Sequence, residues 1–500
     1  MTSNSTAPFI ERFKTRRAHY VYDVNTNRIL TVDRVVYDLL GDWGTLTPDD
    51  LRQKYTPQHG ESAVERALAE IEAAREKENL FASDRPQALS LGLSPEELAR
   101  AYDTQLGMMI LEVTQRCNLR CHYFVYGGTY FNARTYSTRR LAPSIAFQAI
   151  DFFLAHSSQA EKRALTFYGG EPLLEFDLIR QCVDYARAKF GRAGVHFNLT
   201  TNGTLVDQEK ADYFAENGFS ILVSLDGPQR VHDKHRVDSQ GRGSFAAVIQ
   251  GLQTLYQAYG EEIQKIGINM VVTPPYDLDA LQELWAEQPW LRQEMRVRAG
   301  YVDPVDTSFF EEYVSDGDRD EERSVRRRTR QRALSMFKQQ TLRQASPRSP
   351  IPQAIFEQGL VKLYKRPTFS PRAVYHLNGC CIPGVRKVFV DCDGDFYLCE
   401  RAHGAPALGS IHSGYDPQAI ASLVDTYARE SIGDCSQCWA VNLCGVCFAL
   451  AYCNGQMRIE HKRISCEMER KHLAAQLQTY CRILEQDPHA LDYMNEIEMR

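Results

Sequence analysis

No apolar run in the 500 residues is long enough to cross a bilayer, so a membrane-spanning helix is excluded and no membrane partner is expected. The start, MTSNSTAPFIERFKTRR, lacks the apolar core of a secretory signal, and the expected location is the cytoplasm. Basic charge is not in surplus: the net charge of −6 argues against nucleic acid as a partner. Long polar tracts without a core are also missing. Hydrophobic residues make up 43% of the chain, which excludes global disorder, and a chain of this length should form about two to four domains.

What the chain has in quantity is cysteine. There are 14, and ten of them fall between Cys380 and Cys466. In a secreted chain that density would read as disulfides. In a long chain without a signal, short spacings read as metal or iron–sulfur ligands.

The residue pattern divides the chain into five parts. Residues 19–40, HYVYDVNTNRILTVDRVVYDLL, read as two strands around the turn Asn25-Thr26-Asn27 and then a helix; 61–81 reads as a charged amphipathic helix. Together they suggest a winged-helix-like module over 1–85. The segment 86–107 carries Pro, Gly and Ser and reads as a linker. From Met108, apolar runs alternate with helical patterns: MMILEVT, ALTFYGG, VHFNLTTNG, FSILVSLDG, IGINMVVT. That alternation predicts βαβ units with parallel strands, an α/β partial barrel over 108–300, with its chemistry at the C-terminal strand ends. The span 301–375 contains DGDRDEERSVRRRTRQR and reads as a solvated charged helix or insertion. The cysteine-rich part is 376–500.

The polar and glycine motifs all follow the apolar runs. The first is CNLRCHYFVYGG, with Cys117 and Cys121 spaced Cys-x₃-Cys; then come YGGEPLLE (168–175), TTNGTLVD (200–207) and SLDGPQRVHDKHR (224–236). In this order and at strand ends, they resemble the radical S-adenosylmethionine (SAM) family over residues 108 to about 275. The resemblance implies a [4Fe–4S] cluster whose open iron holds SAM, and reductive cleavage of SAM to a hydrogen-abstracting radical. It makes Cys117 and Cys121 cluster ligands and places Tyr123 beside SAM. Gly169 and Gly170 would bring backbone groups close to the SAM amino group, as residues without Cβ can. Ser224 would bind the ribose or carboxylate, and Arg236 the carboxylate as a bidentate guanidinium. Asp226 belongs to the same cofactor set, as do Glu171 and Asn202, for which loop orientation and turn capping are equally open. The departure is Phe124, which stands where the family has its third cysteine and cannot ligate iron. His122 reaches the vacant corner poorly, and Cys182 falls in a helical pattern and reads as core. The chain is therefore expected to be impaired at its SAM cluster. The intact neighbouring motifs suggest that the loss is recent or deliberate.

The later cysteines resemble the SPASM extension, which holds two auxiliary [4Fe–4S] clusters. The run has Cys381, Gly394 and Cys399, then Cys435-x₂-Cys438-x₅-Cys444-x₂-Cys447, then Cys453 and Cys466. The resemblance assigns Cys435, Cys438, Cys444 and Cys466 to one cluster. It leaves the other open: Cys381 or Cys380, Cys399 and Cys447, with Cys392 or Cys453 as fourth, and Cys447 against Cys453 unsettled by the x₂ spacing. Zinc is the alternative occupant of paired Cys-x₂-Cys motifs. Glu400, directly after Cys399, is a candidate general base. The N-terminal pattern resembles a RiPP recognition element, which binds leader peptides by strand addition.

The resemblances imply a radical SAM/SPASM maturase of a ribosomally made precursor peptide, most readily forming a thioether. They also imply an electron donor such as flavodoxin or ferredoxin. The alternatives are an inactive peptide-binding adaptor, which Phe124 favours, and a sulfatase-type maturase.

Overall fold

The computed structural model describes residues 6–131, 133–191, 194–291, 295–402 and 404–497. The tips of the N- and C-terminal spans, 1–5 and 498–500, lie outside the described residues.

The N-terminal module is a three-stranded antiparallel sheet, β1 (Ile10–Lys14), β2 (His19–Asp23) and β3 (Arg28–Val32), with helices α1 (Arg34–Leu39), α2 (Pro48–His59) and α3 (Glu61–Glu78). The β2–β3 turn closes because Asn27 takes a left-handed φ of 58° and buried Asp23 accepts from Thr26 N–H at 2.8 Å and Phe81 N–H at 2.7 Å. β2 has two buried faces. Val21 packs with Val36, Leu39, Leu68 and Ile71 inside the module, whereas Tyr20 and Tyr22 pack into the core of the main body. Asn442 Nδ2 donates to Val24 O at 2.7 Å and Tyr375 Oη to Asn25 Oδ1 at 2.8 Å, fixing the module to the cysteine-rich part.

The stretch 86–107 is not bare linker. It holds β4 (Ala88–Ser90) and α4 (Pro95–Thr104), the latter started by a Ser94–Glu97 capping box.

The central sheet carries six consecutive parallel strands: β5 (Met108–Thr114), β6 (Ala164–Gly169), β7 (His196–Thr201), β8 (Ser220–Ser224), β9 (Ile266–Val272) and β10 (Arg296–Tyr301). The crossovers are α5 (Pro143–Ala155), α6 (Phe176–Phe190), α7 (Gln208–Glu216), the short α8 (Gln229–His232) with α9 (Phe245–Tyr259), and α10 (Leu278–Glu287). Strands such as MMILEVT read as continuous apolar runs because helices and neighbouring elements cover both faces. The sheet is open, so the barrel is partial.

Beyond β10, α11 (Phe309–Tyr313) leads to α12 (Asp316–Leu342), which carries the charged run, and to α13 (Pro350–Tyr364). α12 is anchored: Val325, Thr329, Ala333, Phe337 and Thr341 form a buried stripe at helical spacing. The cysteine-rich part then adds β11 (Val374–His376), parallel to β4, and β12 (Val388–Val390), parallel to β5. β13 (Asp395–Tyr397), β14 (Gly409–Ser410) and β15 (Gly414–Tyr415) extend the same sheet antiparallel, so the two halves share one sheet. α14 (Pro417–Cys435), the hairpin β16 (Tyr452–Cys453) and β17 (Gln456–Met457), and the long α15 (Ile459–Leu484) complete the chain. Among the described residues, no helix is long and apolar enough to cross a membrane.

Candidate functional site

The loop after β5 carries Cys117 and Cys121, and the glycines after β6 exist to let that loop lie close. A Cβ on Gly169, whose φ is +142°, would fall 2.1 Å from Thr114 O, and one on Gly170 would fall 2.0 Å from Arg116 O. Only glycine fits at such approaches. Gly170 N–H and Glu171 N–H donate to those carbonyls at 2.9 and 2.8 Å, so these amides are spent on holding the loop. Glu171 is fully buried and accepts from Thr201 Oγ1 and Asn202 N–H, both at 2.7 Å, and from Leu173 N–H at 3.0 Å. Burial raises its carboxyl to about 7 despite those donors. Asn202 in turn donates to Asn118 Oδ1 at 2.9 Å and lies 3.9 Å from Cys117 Sγ. Glu171 thus positions the loop from behind, and Asn202 joins the β7 exit to the cysteine loop.

Burial pushes the Cys117 thiol up to about 12 and the Cys121 thiol up as well, so neither is a thiolate at neutral pH unless a cation stands beside it. Arg236 Nη1 lies 4.0 Å from Cys121 Sγ. Its Nε and Nη2 grip Asp226 at 2.8 and 3.2 Å, and the same carboxylate accepts from Tyr123 Oη and from Val271 N–H at 2.8 Å. Burial alone would raise the Asp226 carboxyl, but Arg236, His232 and the hydrogen bonds hold it below the usual range. The guanidinium expected to meet a ligand carboxylate therefore already faces one from its own chain. Ser224, at the end of β8, opens onto the cavity.

Phe124 lines the cavity wall beside the Cys117–Cys121 loop. Its ring is edge-on to Tyr126 at 5.4 Å and stacks with Tyr136 at 6.0 Å. The Tyr136 hydroxyl is buried without a hydrogen-bond partner among the described residues, and Cys117 and Cys121 act on it electrostatically. His122 is turned away: its Nδ1 faces His235 Nδ1 at 3.3 Å and its ring stacks on Tyr313. Cys182 is core, within α6.

The cysteine-rich part sorts its thiols into two sets. Cys380 has Cys447 and Cys381 beside it, Cys399 has Cys447, and Cys447 has Cys381. Separately, Cys435 has Cys438 and Cys466 beside it, Cys444 has Cys466 and Cys435, and Cys466 has Cys438. Burial raises the thiols of Cys380, Cys399, Cys435, Cys444, Cys447 and Cys466; Cys399 reaches about 11. Gly379 makes the first set possible, since a Cβ there would lie 2.2 Å from Val446 O, between Cys444 and Cys447. Tyr427 stands among both sets. Lys462, which sequence reasoning passed over, is buried and donates to Cys435 Sγ at 3.4 Å. Its only sequence signal is a lysine four residues before Cys466. Cys392 has its thiol donating to Glu112 O at 3.3 Å, and Cys453 groups with Asp306 and His461.

A cavity of about 580 Å³ brings these parts together. Cys117, Cys121, Phe124, Ser224 and Arg236 line it, and so do Glu400 and Cys453. Glu400 pairs with Lys387 Nζ at 2.8 and 3.1 Å.

Residues 111–285 match the radical SAM superfamily, whose members work with a [4Fe–4S] cluster and SAM. The chain is 30% identical to a cysteine-type anaerobic sulfatase-maturating enzyme of Clostridium novyi over 152 residues, 30% of this chain and 40% of that one. It is 29% identical to a serine-type anaerobic sulfatase-maturating enzyme of Bacteroides thetaiotaomicron over 177 residues, 35% of this chain and 42% of that one. The chain spans about half the length of the curated relatives it matches, or less. Among solved structures, native anSMEcpe with bound AdoMet and Cp18Cys peptide superposes with a TM-score of 0.53 at 18% identity, over 79% of this chain and 100% of that one. That likeness is one of fold: an α/β radical SAM core.

Proposed function

We propose that the chain is a radical SAM peptide maturase of the SPASM type, acting on a ribosomally made precursor peptide, and that Phe124 impairs it as it stands. The observation that carries this reading is the shared cavity. The Cys117–Cys121 loop and the strand-end motifs wall the same space as Glu400, which follows Cys399 of the first thiol set.

The two thiol sets suit two auxiliary [4Fe–4S] clusters: Cys380, Cys381, Cys399 and Cys447 for one, and Cys435, Cys438, Cys444 and Cys466 for the other. Such clusters supply one-electron redox chemistry when bound. The loop at 117–124 does not suit its cluster, because an iron left open for SAM requires three thiolates and Phe124 offers no donor. No hydrogen-abstraction step is therefore derived for this chain. What its own residues do is narrower. Glu171 and Asn202 hold the cysteine loop. Tyr123, Asp226 and Arg236 form a buried polar knot against it, and Ser224 presents a hydroxyl to a bound nucleoside. Glu400, its charge balanced by Lys387, accepts a proton from a peptide group in the cavity.

The precursor class is supported by the N-terminal sheet. Both β1 and β3 have an outer edge unpaired among the described residues. β1 carries Glu11, Arg12 and Lys14, charges that discourage strand addition, whereas β3 offers Ile29, Leu30, Thr31 and Val32. A leader strand on β3 is the docking mode proposed. A substrate cysteine, giving a thioether, and a flavodoxin or ferredoxin donor complete the reading. The relatives named as sulfatase-maturating enzymes favour maturation in general; the leader-type module favours a precursor peptide over a folded sulfatase. The adaptor reading rests on Phe124 alone.

The test is SAM cleavage under reducing, anaerobic conditions by the chain and by Phe124→Cys. Little 5′-deoxyadenosine is expected from the first and at least about tenfold more from the second, a barrier difference of about 1.4 kcal/mol. Equal turnover by both would refute the impairment.

A further inference from the structure

Three side chains from distant parts of the chain converge on the cavity wall: Asp306 in the loop after β10, Cys453 in β16 and His461 near the start of α15. Their ligand atoms all lie within 4.8 Å of one another, and His461 Nδ1 is 3.1 Å from Asp306 Oδ2. Cys453 is buried, and the charged groups acting on it are Asp306 and Arg458. The backbone beneath the three is fixed. A Cβ on Gly404 would fall 2.5 Å from Tyr452 O and 3.1 Å from Cys453 Cα, so the hairpin is pressed against a glycine. Gly455 N–H donates to Gly404 O and Arg458 N–H to Ala451 O, both at 2.8 Å, which ties the hairpin to the start of α15. Asp306 takes a left-handed φ of 54°, and its carbonyl accepts from Phe131 N–H at 2.9 Å.

We propose that Asp306, Cys453 and His461 form a mononuclear site for a divalent, borderline-soft cation, with Zn²⁺ the ion that suits it best. One sulfur, one imidazole nitrogen and one carboxylate oxygen make a donor set that zinc accepts in tetrahedral geometry. A hard cation such as Mg²⁺ would refuse the thiolate, and a cuprous ion would prefer more sulfur. Three protein ligands leave the fourth position open, as in zinc sites that exchange a ligand. Because all three residues line the cavity, that position faces it and takes water or a donor atom of whatever enters. The donor set also accounts for Cys453, whose ligand-type neighbours are Asp306 and His461. The inference does not depend on the activity proposed above: a cation site here stands whether or not the chain cleaves SAM.

The test uses the full chain, isolated anaerobically with its iron, then equilibrated with Zn²⁺ and freed of unbound metal. Zinc and iron are counted per chain for the wild type, Cys453→Ala and His461→Ala. About one zinc is expected in the wild type, with a zinc absorption edge fitted by one sulfur at about 2.3 Å and nitrogen or oxygen at about 2.0–2.1 Å. Each variant should lose at least about nine-tenths of that zinc and keep its iron. Three results would overturn the site. One is zinc unchanged in both variants. Another is zinc bound by sulfur alone, which would place it in the cluster cysteines. The third is loss of about four irons in Cys453→Ala, which would make Cys453 a cluster ligand. His461→Ala keeps the question answerable if Cys453→Ala fails to fold, since His461 is only partly buried.

Discussion

Buried Lys462 Nζ points at the thiol of Cys435 from 3.4 Å, with Cys466 and Cys444 acting on it as well. Burial works against its charge, but the thiols outweigh burial and hold the ammonium above the ordinary lysine value. A fixed positive charge there favours whatever negative charge the second set carries. Replacing it by Lys462→Met keeps the length and removes the charge. For the auxiliary cluster proposed at this set, the expected outcome is a potential about 60 mV more negative or beyond, a tenfold shift in a one-electron equilibrium, read by redox titration. An unmoved potential would mean that Lys462 only fills space.

The Asp226–Arg236 fork is a buried ion pair with every close partner supplied by the chain, Tyr123 Oη and Val271 N–H among them. Removing one member strands the other. Asp226→Asn should cost about 3–5 kcal/mol in a denaturation series, because an unpaired buried guanidinium remains. A cost below about 1 kcal/mol would show that water reaches the fork.

Glu171 titrates near 7 in the fold against 4.5 for an ordinary glutamate, because burial penalises its charge. The folded chain therefore holds this proton more tightly than the unfolded chain. The carboxyl's contribution is fully present below about pH 4.5 and is lost as pH rises through about 7, a change on the order of 3 kcal/mol. Glu171→Gln cannot titrate. The wild type should therefore lose stability relative to Glu171→Gln across that window, measured as the difference between the two unfolding curves at each pH. A constant difference would remove the titration from the fold.

Leader docking on β3 makes a claim about amides. With saturating precursor peptide, the outward amides of Arg28–Val32 should exchange at least about tenfold more slowly, and those of β1 should be unaffected. Bound peptide with unchanged exchange in β3 would move the docking site elsewhere.

Most of the parallel core was legible in the sequence, because strands covered on both faces must be apolar along their length. Two of the strands that escaped show where that rule fails. β1, IERFK, is an edge strand of the N-terminal antiparallel sheet with three charges in five residues, and β10, RVRAGY, is a margin of the central sheet and only half buried. α4 was hidden by the Pro, Gly and Ser around it, although its Ser94–Glu97 capping box was there to be read. The site divides in the same way. Spacing brings Cys435, Cys438, Cys444 and Cys466 to mind as a set because three of them are close in sequence. The sorting of Cys380, Cys381, Cys447, Cys392 and Cys453 depends on contacts that spacing does not encode: Gly379 against Val446, Cys392 against Glu112, and Cys453 with Asp306 and His461. Arg236 was matched to a ligand carboxylate because Asp226, ten residues away, gives no local sign that the two chains of atoms meet.

β2 belongs to two cores at once, Val21 facing the N-terminal module and Tyr20 and Tyr22 facing the main body. A strand shared in this way leaves the module no hinge. Its neighbour β3 is then held at a set distance from the cavity, and a peptide clamped on β3 could reach the cavity only after a set number of residues. The module would act as a ruler: lengthening or shortening the segment between leader and target would change which residue is presented, in steps of one residue, without any change in affinity.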